Sequence, residues 1–413
     1  MTGRIHIVGA GLAGLAAAVS CAAAGRAVTL YEAGPAAGGR CRSYFDRALD
    51  RRIDNGNHLV LSGNRATFAY LAQIGAEASL VGPDVPLFPF VDLTDGARWS
   101  VAPNLGRVPW WIFVRARRVP GTRARDYFSL LALRRAHAGQ TVQDLLGGGE
   151  LSRRLLEPLA IAALNTPTDT GLATLLDAVV RATLMQGGAA CLPRVPRVGL
   201  SESFVDPALA WLAERGTEFC PGRRVVALHR DAARVTGLET SDSAVALAPG
   251  DAVVLAVPAW VAADLLPGLL APDAFSAILN IHFVTRAAPG PAGFYGVVGG
   301  MAEWVFVRDG VVSVTVSAAN HLVDLPSEDI AARIWPDVRA VLRLPEQMPP
   351  VRVVKERRAT HLASAAQEAR RPAARTAWRN LVLAGDWTAT GLPATIEGAI
   401  RSGRAAADSL LAA

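Results

Sequence analysis

Lysine is almost absent from this chain of 413 residues. Lys355 is the only one, and arginine supplies the rest of the 42 basic side chains. A mechanism that passes through a Schiff base needs a lysine amine at the reacting centre. With one candidate residue in the whole chain, the composition argues against that class of enzyme.

Cysteines are also few, and they are scattered. Cys21, Cys41, Cys191 and Cys220 show no paired spacing. Zinc sites and disulfide frameworks need cysteines in pairs or clusters at short spacings. We therefore expect no metal site, reduced thiols and a cytoplasmic location.

Long apolar runs are missing as well. The longest ones contain small residues, glycines or charges, whereas a helix that spans a bilayer needs about 20 apolar residues. No signal-peptide pattern precedes the first motif, which begins close to Met1. We expect a protein that does not span a membrane, and a contact with a membrane surface stays open.

The length of the chain and the alternation of two patterns of predicted secondary structure along it predict two interleaved domains. A chain of 413 residues exceeds one ordinary core, and the 51% hydrophobic and 19% charged residues are typical of a folded protein. Patterns typical of alternating strands and helices occur in residues 1–64, 195–258 and 376–413, which we assign to a nucleotide-binding domain. Residues 65–194 and 259–375 are assigned to a substrate-binding domain.

The N-terminal stretch Ile5–Gly14 predicts a strand, a glycine turn and a helix. Its glycines follow the spacing of the dinucleotide-binding fingerprint: Gly9 permits the tight turn, Gly11 a close approach to pyrophosphate, and Gly14 close packing of helix on strand. The helix N-terminus then faces the phosphates. Glu32 ends the second strand, where it can accept hydrogen bonds from ribose hydroxyls. These residues predict a bound adenine dinucleotide.

A second glycine motif follows the acid directly. Gly38 and Gly39 permit another approach of the backbone to the cofactor, and Arg40 places a cation near its phosphates. A flexible loop is the alternative, because Gly-Gly pairs are common. The position just after Glu32 favours cofactor binding.

A third motif lies near the C-terminus. A strand ending at Ala384 leads into Gly385 and Asp386, and Asp386 could bind ribityl or phosphate-side groups. A helix begins near Thr395 and Ile396, and its N-terminus would stabilise negative charge on a reduced flavin by up to about 2 kcal/mol. A helix that merely packs is the alternative.

Together the three motifs resemble the flavin amine oxidase and carotenoid-type desaturase superfamily over nearly the whole chain. Within it, the sequence is similar to the hydroxysqualene dehydroxylase family. The segments that carry this similarity are residues 54–58, 163–167, 192–201 and 384–398. One departure is Asn57, where many relatives have glutamine, and it retains an amide.

The resemblance implies a fold, a cofactor and a reaction. The fold is α/β, with an FAD-binding Rossmann-type domain interleaved with an α+β substrate domain, and the FAD is non-covalent because no cysteine accompanies the C-terminal motif. The implied reaction removes the hydroxyl of hydroxysqualene, an isoprenoid, and gives squalene with reduced FAD as hydride donor. An FAD-dependent desaturase of the phytoene type or an amine oxidase is the alternative, and a non-catalytic flavin-binding scaffold is a third. No second fingerprint for NAD(P)H is present, so we expect an external electron donor.

The resemblance also suggests site residues. Asp54 and His58 flank the stretch expected beside the flavin ring and are the candidate catalytic acids; a turn carboxylate and an interior histidine are the alternatives. The substrate-binding candidates are Asn165, Thr166 and Trp387, against a plain helix end before Pro167 and a core tryptophan. The cofactor-binding candidates are Gly9, Gly11, Gly14, Glu32, Gly39, Arg40, Gly56, Asn57, Val226, Gly385, Asp386, Thr395 and Ile396.

Residues 108–135 mix aromatic, aliphatic and arginine side chains. Helical patterns at Trp110–Arg118 and Ala124–Ala138 suit a helix at a membrane interface, with arginines on the headgroups. A helix packed on the substrate domain with a solvated basic face is the alternative. We expect no nucleic-acid partner, because no nucleic-acid-binding fold accompanies the basic stretch. The membrane contact would be peripheral, on the inner face of the cytoplasmic membrane.

Overall fold

The computed structural model describes residues 3–412; residues 1, 2 and 413, which the predicted domain boundaries include, lie outside this range. The strands are β1 Ile5–Val8, β2 Val28–Tyr31, β3 Ser43–Asp46, β4 Arg51–Asp54, β5 Val60–Leu61, β6 Leu80–Val81, β7 Phe88–Asp92, β8 Arg98–Val101, β9 Pro193–Pro196, β10 Glu218–Cys220, β11 Val225–Arg230, β12 Val235–Thr240, β13 Ala244–Ala246, β14 Ala252–Leu255, β15 Phe275–Phe283, β16 Phe294–Val298, β17 Trp304–Arg308, β18 Val311–Val316, β19 Val351–His361 and β20 Leu381–Leu383. The α-helices are α1 Leu12–Ala23, α2 Arg65–Gln73, α3 Val142–Leu146, α4 Glu157–Leu164, α5 Ala173–Ala182, α6 Asp206–Ala213, α7 Ala259–Leu265, α8 Ser327–Leu342, α9 Ala365–Glu368 and α10 Ile396–Leu411.

A parallel sheet with the order β10-β2-β1-β14-β20 forms the first layer. The residues of β1, β2, β14 and β20 are buried throughout, as expected for a parallel sheet covered on both faces. Its strands come from all three chain segments that the sequence assigns to nucleotide binding. The domain boundaries themselves stay a prediction.

A second sheet has the order β19-β15-β18-β17-β16-β7-β8 and is antiparallel except for the β16–β7 pair. Successive side chains of a strand point to opposite faces. In β18, Val312, Val314 and Val316 enter a core that includes α8, while Ser313 and Thr315 lie on the other face. That second face therefore carries polar groups, and it is the face that contacts the glycine-rich segment at residues 54–58.

The region expected to be helical between residues 110 and 138 is built differently. It forms short 3₁₀ turns at Trp110–Phe113 and Arg115–Arg117 and a longer 3₁₀ stretch at Ala124–Arg135. The two expected helical stretches are therefore present as 3₁₀ segments rather than as α-helices, and the first of them is interrupted at Val114. Within residues 3–412, no helix is both long and apolar enough to cross a membrane.

Helices α1 and α10 pack closely over the parallel sheet. A Cβ atom on Gly403 of α10 would lie 2.1 Å from the carbonyl oxygen of Ala13 and 3.0 Å from the Cβ of Ala16. Only a residue without a side chain permits this approach. The helix that follows the C-terminal motif is thereby held against the helix that follows the fingerprint.

Replacing Gly403 by alanine is expected to destabilise the protein, although alanine is the better helix former. Helix propensity alone would favour the alanine by about 1 kcal/mol, but the overlap with Ala13 forces the two helices apart at a cost of roughly 1–3 kcal/mol. Chemical unfolding measures the net change. Arg404→Ala, at the exposed neighbouring position, should stay within about 0.5 kcal/mol of wild type, and a Gly403→Ala variant as stable as that control would contradict the packing argument.

Candidate active site

The glycine turn after β1 has the shape that a dinucleotide requires. Gly9 has φ +103°, and a Cβ atom on Gly14 would lie 1.9 Å from the carbonyl oxygen of Gly9. Among the described residues, nothing lies within 4 Å of the Cβ position of Gly11, which precedes the first residue of α1. The first-turn N–H groups of α1 therefore border open space, where a phosphate can approach them.

Glu32 and the second glycine pair complete this cradle. The Glu32 carboxylate accepts hydrogen bonds from the N–H of Ala10 (2.9 Å) and of Gly34 (2.8 Å). Each carboxylate oxygen keeps another lone pair for a ribose hydroxyl. A Cβ on Gly39 would lie only 3.4 Å from the Cα of Gly11, so the two glycine turns meet. The residues present fit the adenosine diphosphate half of FAD.

Arg40 and Asp386, each expected to contact the cofactor, contact one another. Nη2 of Arg40 lies 2.8 Å from both carboxylate oxygens of Asp386. Burial alone would favour the neutral carboxyl, but the Arg40 guanidinium outweighs it and holds the pKa of Asp386 below its usual range. Arg40 also donates to the carbonyl oxygen of Ala359 in β19. No motif in the sequence indicated this pairing, which joins the second glycine motif to the third.

The loop that follows Asp386 is held by a buried arginine. Arg371 donates to the carbonyl oxygens of Asp386 (3.2 Å) and Thr388 (3.0 Å) and to the hydroxyl of Thr390 (2.9 Å). Its side chain is fully buried. Arg371, which no motif indicated, thus holds the turn expected beside the flavin in place.

The segment around Gly56 and Asn57 docks on the polar face of the second sheet. The N–H of Asn57 donates to Oδ1 of Asn280 (3.3 Å), and its side-chain amide donates to the hydroxyl of Thr315 (3.1 Å). A Cβ on Gly56 would lie 3.2 Å from Nδ2 of Asn280. Asn280 and Thr315 were not predicted; polar residues alternating with apolar ones in β15 and β18 were the available signal.

The two candidate acids have different surroundings. Both oxygens of Asp54 have partners, because Oδ1 accepts from the Ser43 hydroxyl (2.6 Å) and the Leu200 N–H (2.9 Å), and Oδ2 pairs with Arg308 (2.7 Å). His58 makes no side-chain hydrogen bond within residues 3–412. Burial lowers the pKa of His58 to about 4 despite the opposing effect of Asp54, so its imidazole is neutral at pH 7.

Asp54 and His58 share a cleft of about 300 Å³ between the 54–58 segment and the second sheet. Its polar lining comes from Asp54, Asn57, His58, Arg197, Arg308 and Ser313. The rest is largely apolar and is lined by Val81, Gly82, Pro83, Val195, Pro196, Pro289, Gly290, Pro291, Ala292, Gly293, Phe306, Val307 and Val311. The cleft can therefore hold an apolar molecule with few polar groups.

Asn165 and Thr166 lie elsewhere, in a network that joins the end of α4 to the second sheet. The Asn165 amide donates to the carbonyl oxygen of Ser276 and the hydroxyl of Thr360, and it accepts from the N–H of Ala318. The Thr166 hydroxyl bonds within the same network. The geometry favours the helix-end alternative for both residues, and their contact with substrate stays a prediction.

The remaining predicted residues lie on the nucleotide-binding side. The Trp387 indole donates to the carbonyl oxygen of Val257 (2.9 Å) in a buried core, which favours its packing role. Thr395 caps α10 by accepting from the N–H of Gly398 (3.0 Å), and Ile396 is the first residue of that helix. Val226 is half-exposed on β11.

The two glycine turns, Glu32 and the two sheets agree with the family to which comparison with known proteins assigns this chain. Residues 12–288 and 300–411 match the family described as flavin containing amine oxidoreductase. The chain belongs to this family. It is thus a flavin-dependent oxidoreductase, and the expected fold class and FAD cofactor are confirmed.

Similarity to individual members extends over the full length. A hydroxysqualene dehydroxylase of Zymomonas mobilis is 46% identical over 407 residues, which cover 98% of each chain. One of Rhodopseudomonas palustris is 48% identical over 415 residues, covering 100% of this chain and 99% of the relative. The structure of a putrescine oxidase bound to putrescine superimposes with a TM-score of 0.69 at 16% identity over 100% of both chains, which shows the shared fold. The resemblance to the hydroxysqualene dehydroxylases is confirmed.

Buried histidines near the site make the stability of this oxidoreductase sensitive to acid. Burial lowers the pKa of His361 to about 4, whereas an unfolded histidine titrates near 6.5. Between these values the unfolded chain binds more protons than the folded one, so the free energy of unfolding falls as the pH drops from about 6.5 to about 4. His361→Asn should make this fall less steep.

Urea unfolding of the apoprotein at pH 7 and at pH 5 measures the difference. The exposed His137 offers a matched control, because His137→Asn should keep the wild-type pH dependence. Equal pH dependence in wild type and His361→Asn would show that this histidine does not couple protonation to folding.

Proposed function

We propose that this flavoenzyme removes the hydroxyl group of hydroxysqualene reductively and releases squalene. The observation that carries the proposal is the largely apolar cleft with its small polar lining, which borders the 54–58 segment. An isoprenoid alcohol has the same distribution, a long hydrocarbon with one oxygen. The name shared by the full-length relatives supports the same substrate.

The reaction needs two hydrogens and gives water. The C–O bond breaks with its electron pair on oxygen, the oxygen takes a proton and leaves as water, and carbon receives a hydride. Bound reduced FAD supplies the hydride when it is present. Because the sequence has a single dinucleotide fingerprint, we propose that an external donor returns the reducing equivalents.

The chain's own residues bind the alcohol, assist its departure and exclude water. A positioned proton donor contributes roughly 10²–10⁴-fold to such a step, and apolar walls protect a carbocation from water. We assign the substrate contact to His58, whose neutral imidazole can donate one hydrogen bond and accept another. Asp54 fits a positioning role, because its carboxylate fixes Ser43, Leu200 and Arg308 around the same cleft.

A second surface supports delivery of the substrate from a membrane. An exposed groove is lined by Val85, Pro86, Pro103, Asn104, Leu105, Gly106, Arg107, Val108, Trp110 and Arg117. Phe113 is also exposed, at 68%. Residues 107–135 contain eight arginines and one acidic residue, Asp126, a charge balance that suits anionic headgroups. We propose that this arginine-rimmed groove rests on the lipid surface.

The arginine-rimmed groove lies next to the cleft along the chain. Val81, Gly82 and Pro83 line the cleft, and Val85 and Pro86 line the groove. Only Asp84 separates the two linings along this segment, so we propose that the groove delivers the isoprenoid close to the cleft.

Reoxidation of the flavin tests the proposed reaction. Anaerobically photoreduced protein is mixed with hydroxysqualene, flavin absorbance is followed, and the product is identified by mass spectrometry. We expect one equivalent of squalene for each flavin reoxidised. Persistent reduced flavin with unchanged substrate would overturn the proposal and direct attention to oxidative isoprenoid or amine substrates.

Sedimentation with vesicles containing anionic lipid tests the membrane contact. The double variant Trp110→Asp/Phe113→Asp should bind at least roughly 100-fold more weakly, since burial of each aromatic side chain contributes about 1.5–3 kcal/mol. Added salt should weaken the wild-type binding. Phe45→Asp is the matched control, because Phe45 is 57% exposed on β3, away from the groove. Equal binding of the double variant and this control would contradict the assignment.

A further inference from the structure

The wall of the cleft contains a serine supported by a buried histidine. Strands β15 and β18 are antiparallel neighbours, and His282 lies directly opposite Ser313 in their register. Nδ1 of His282 is 2.8 Å from the hydroxyl oxygen of Ser313. Ser313 lines the cleft, and His282 lies behind it with 1% of its surface exposed.

Most other polar groups of the cleft already have their partners. The carboxylate of Asp54 is occupied as described, Asn57 bonds to Thr315, and Arg308 bonds to Asp54 and to the carbonyl oxygen of Pro196. Within residues 3–412, the Ser313 hydroxyl has His282 as its one side-chain partner. A hydroxyl group has one donor and two acceptor positions, so Ser313 retains hydrogen-bonding capacity towards the cleft.

The protonation state of His282 determines which hydrogen bond the Ser313 hydroxyl can form with a molecule in the cleft. Burial lowers the pKa of His282 to about 4, so the imidazole is neutral and carries one N–H. Nε2 is buried without a hydrogen-bond partner among the described residues. Nδ1 is satisfied by Ser313 in either tautomer, because it donates to the serine oxygen when protonated and accepts the serine O–H when not. In the first case the Ser313 O–H can donate into the cleft, and in the second a lone pair of its oxygen can accept from the cleft.

We propose that Ser313 binds the hydroxyl group of the substrate through a hydrogen bond, with His282 as the positioning residue that holds the Ser313 hydroxyl at the cleft. This inference rests on the proposed dehydroxylation. Ser313 keeps its proton throughout. Its hydrogen bond orients the substrate oxygen before the C–O bond breaks, and that oxygen takes up a proton and leaves as water as in the proposed reaction.

The pair also distinguishes the substrate from the product. Squalene differs from hydroxysqualene by the missing hydroxyl, so it forms no hydrogen bond with Ser313. A single neutral hydrogen bond changes affinity by roughly 3–10-fold. We therefore expect the alcohol to bind more tightly than the hydrocarbon, which favours release of the product.

Ligand binding to the oxidised holoenzyme tests the inference without turnover, because oxidised flavin has no hydride to give. Hydroxysqualene and squalene are each titrated while flavin absorbance is recorded. Ser313→Ala should lose roughly 3–10-fold in affinity for hydroxysqualene and keep the wild-type affinity for squalene. Ser317→Ala is the matched control, because Ser317 lies four residues further on the same face and outside the cleft lining; it should match wild type for both ligands.

Two variants of His282 test its positioning role. Asparagine can present a side-chain amide to Ser313 near the place of Nδ1, so His282→Asn should keep the preference for the alcohol and a kcat within a few-fold of wild type. His282→Phe removes the partner and should lose the preference as Ser313→Ala does. Flavin content and the melting temperature establish that each variant is folded, and Ser313→Ala alone decides the matter if His282→Phe does not fold.

The outcomes separate this inference from the proposed function. Wild-type enzyme that converts hydroxysqualene, together with a Ser313→Ala variant that retains the alcohol preference, overturns the inference alone. Wild-type enzyme that does not convert hydroxysqualene overturns the proposed function. In that case an alcohol preference lost in Ser313→Ala still supports a hydroxyl-binding serine, and no preference in wild type overturns both.

Discussion

The ion pair between Arg40 and Asp386 is the interaction on which the arrangement of the site depends. Asp386 is buried and Arg40 is partly exposed, so loss of Arg40 would leave a buried carboxylate without its counterion, which is unfavourable. Arg40 follows β2, Asp386 follows β20, and the same guanidinium reaches β19 through the carbonyl oxygen of Ala359. The Arg40 side chain thereby fixes the two sheets and the C-terminal turn relative to each other. This arrangement sets the positions of the cofactor-binding glycine turns and of the cleft.

The catalytic side of the molecule arises from alternation along strands. A strand that buries one face in an apolar core presents every second residue to the other side. In β15 and β18 those residues include the polar Asn280, His282, Ser313 and Thr315. Asn280 and Thr315 bind the 54–58 segment, and Ser313 lines the cleft. The site therefore lies at the interface between a glycine-rich loop and the polar face of a sheet, rather than in a pocket within one domain.

Turns and helices that depend on local residue spacing were predicted from the sequence. Side-chain contacts between residues far apart in the chain were not. The strand, glycine turn and helix expected from Ile5–Gly14 are present as β1, the turn at Gly9 and α1, because turn chemistry and hydrophobic period are local properties. The partners of Asp54 and Arg40 lie hundreds of residues away, and no pattern within one segment reveals them. The 3₁₀ geometry between residues 110 and 135 escaped prediction, because a 3₁₀ helix differs from an α-helix in its hydrogen bonds from residue i to residue i+3 rather than in a distinct residue pattern.

The order of strands in the parallel sheet has a consequence for biosynthesis. Strand β14 pairs with β20, which is made last, and Asp386 follows β20 directly. A ribosome therefore releases the whole second sheet before the nucleotide-binding sheet can gain its edge strand and before Arg40 can meet its counterion. A nascent chain must therefore keep the unpaired edge of β14 from aggregating until β20 has been made.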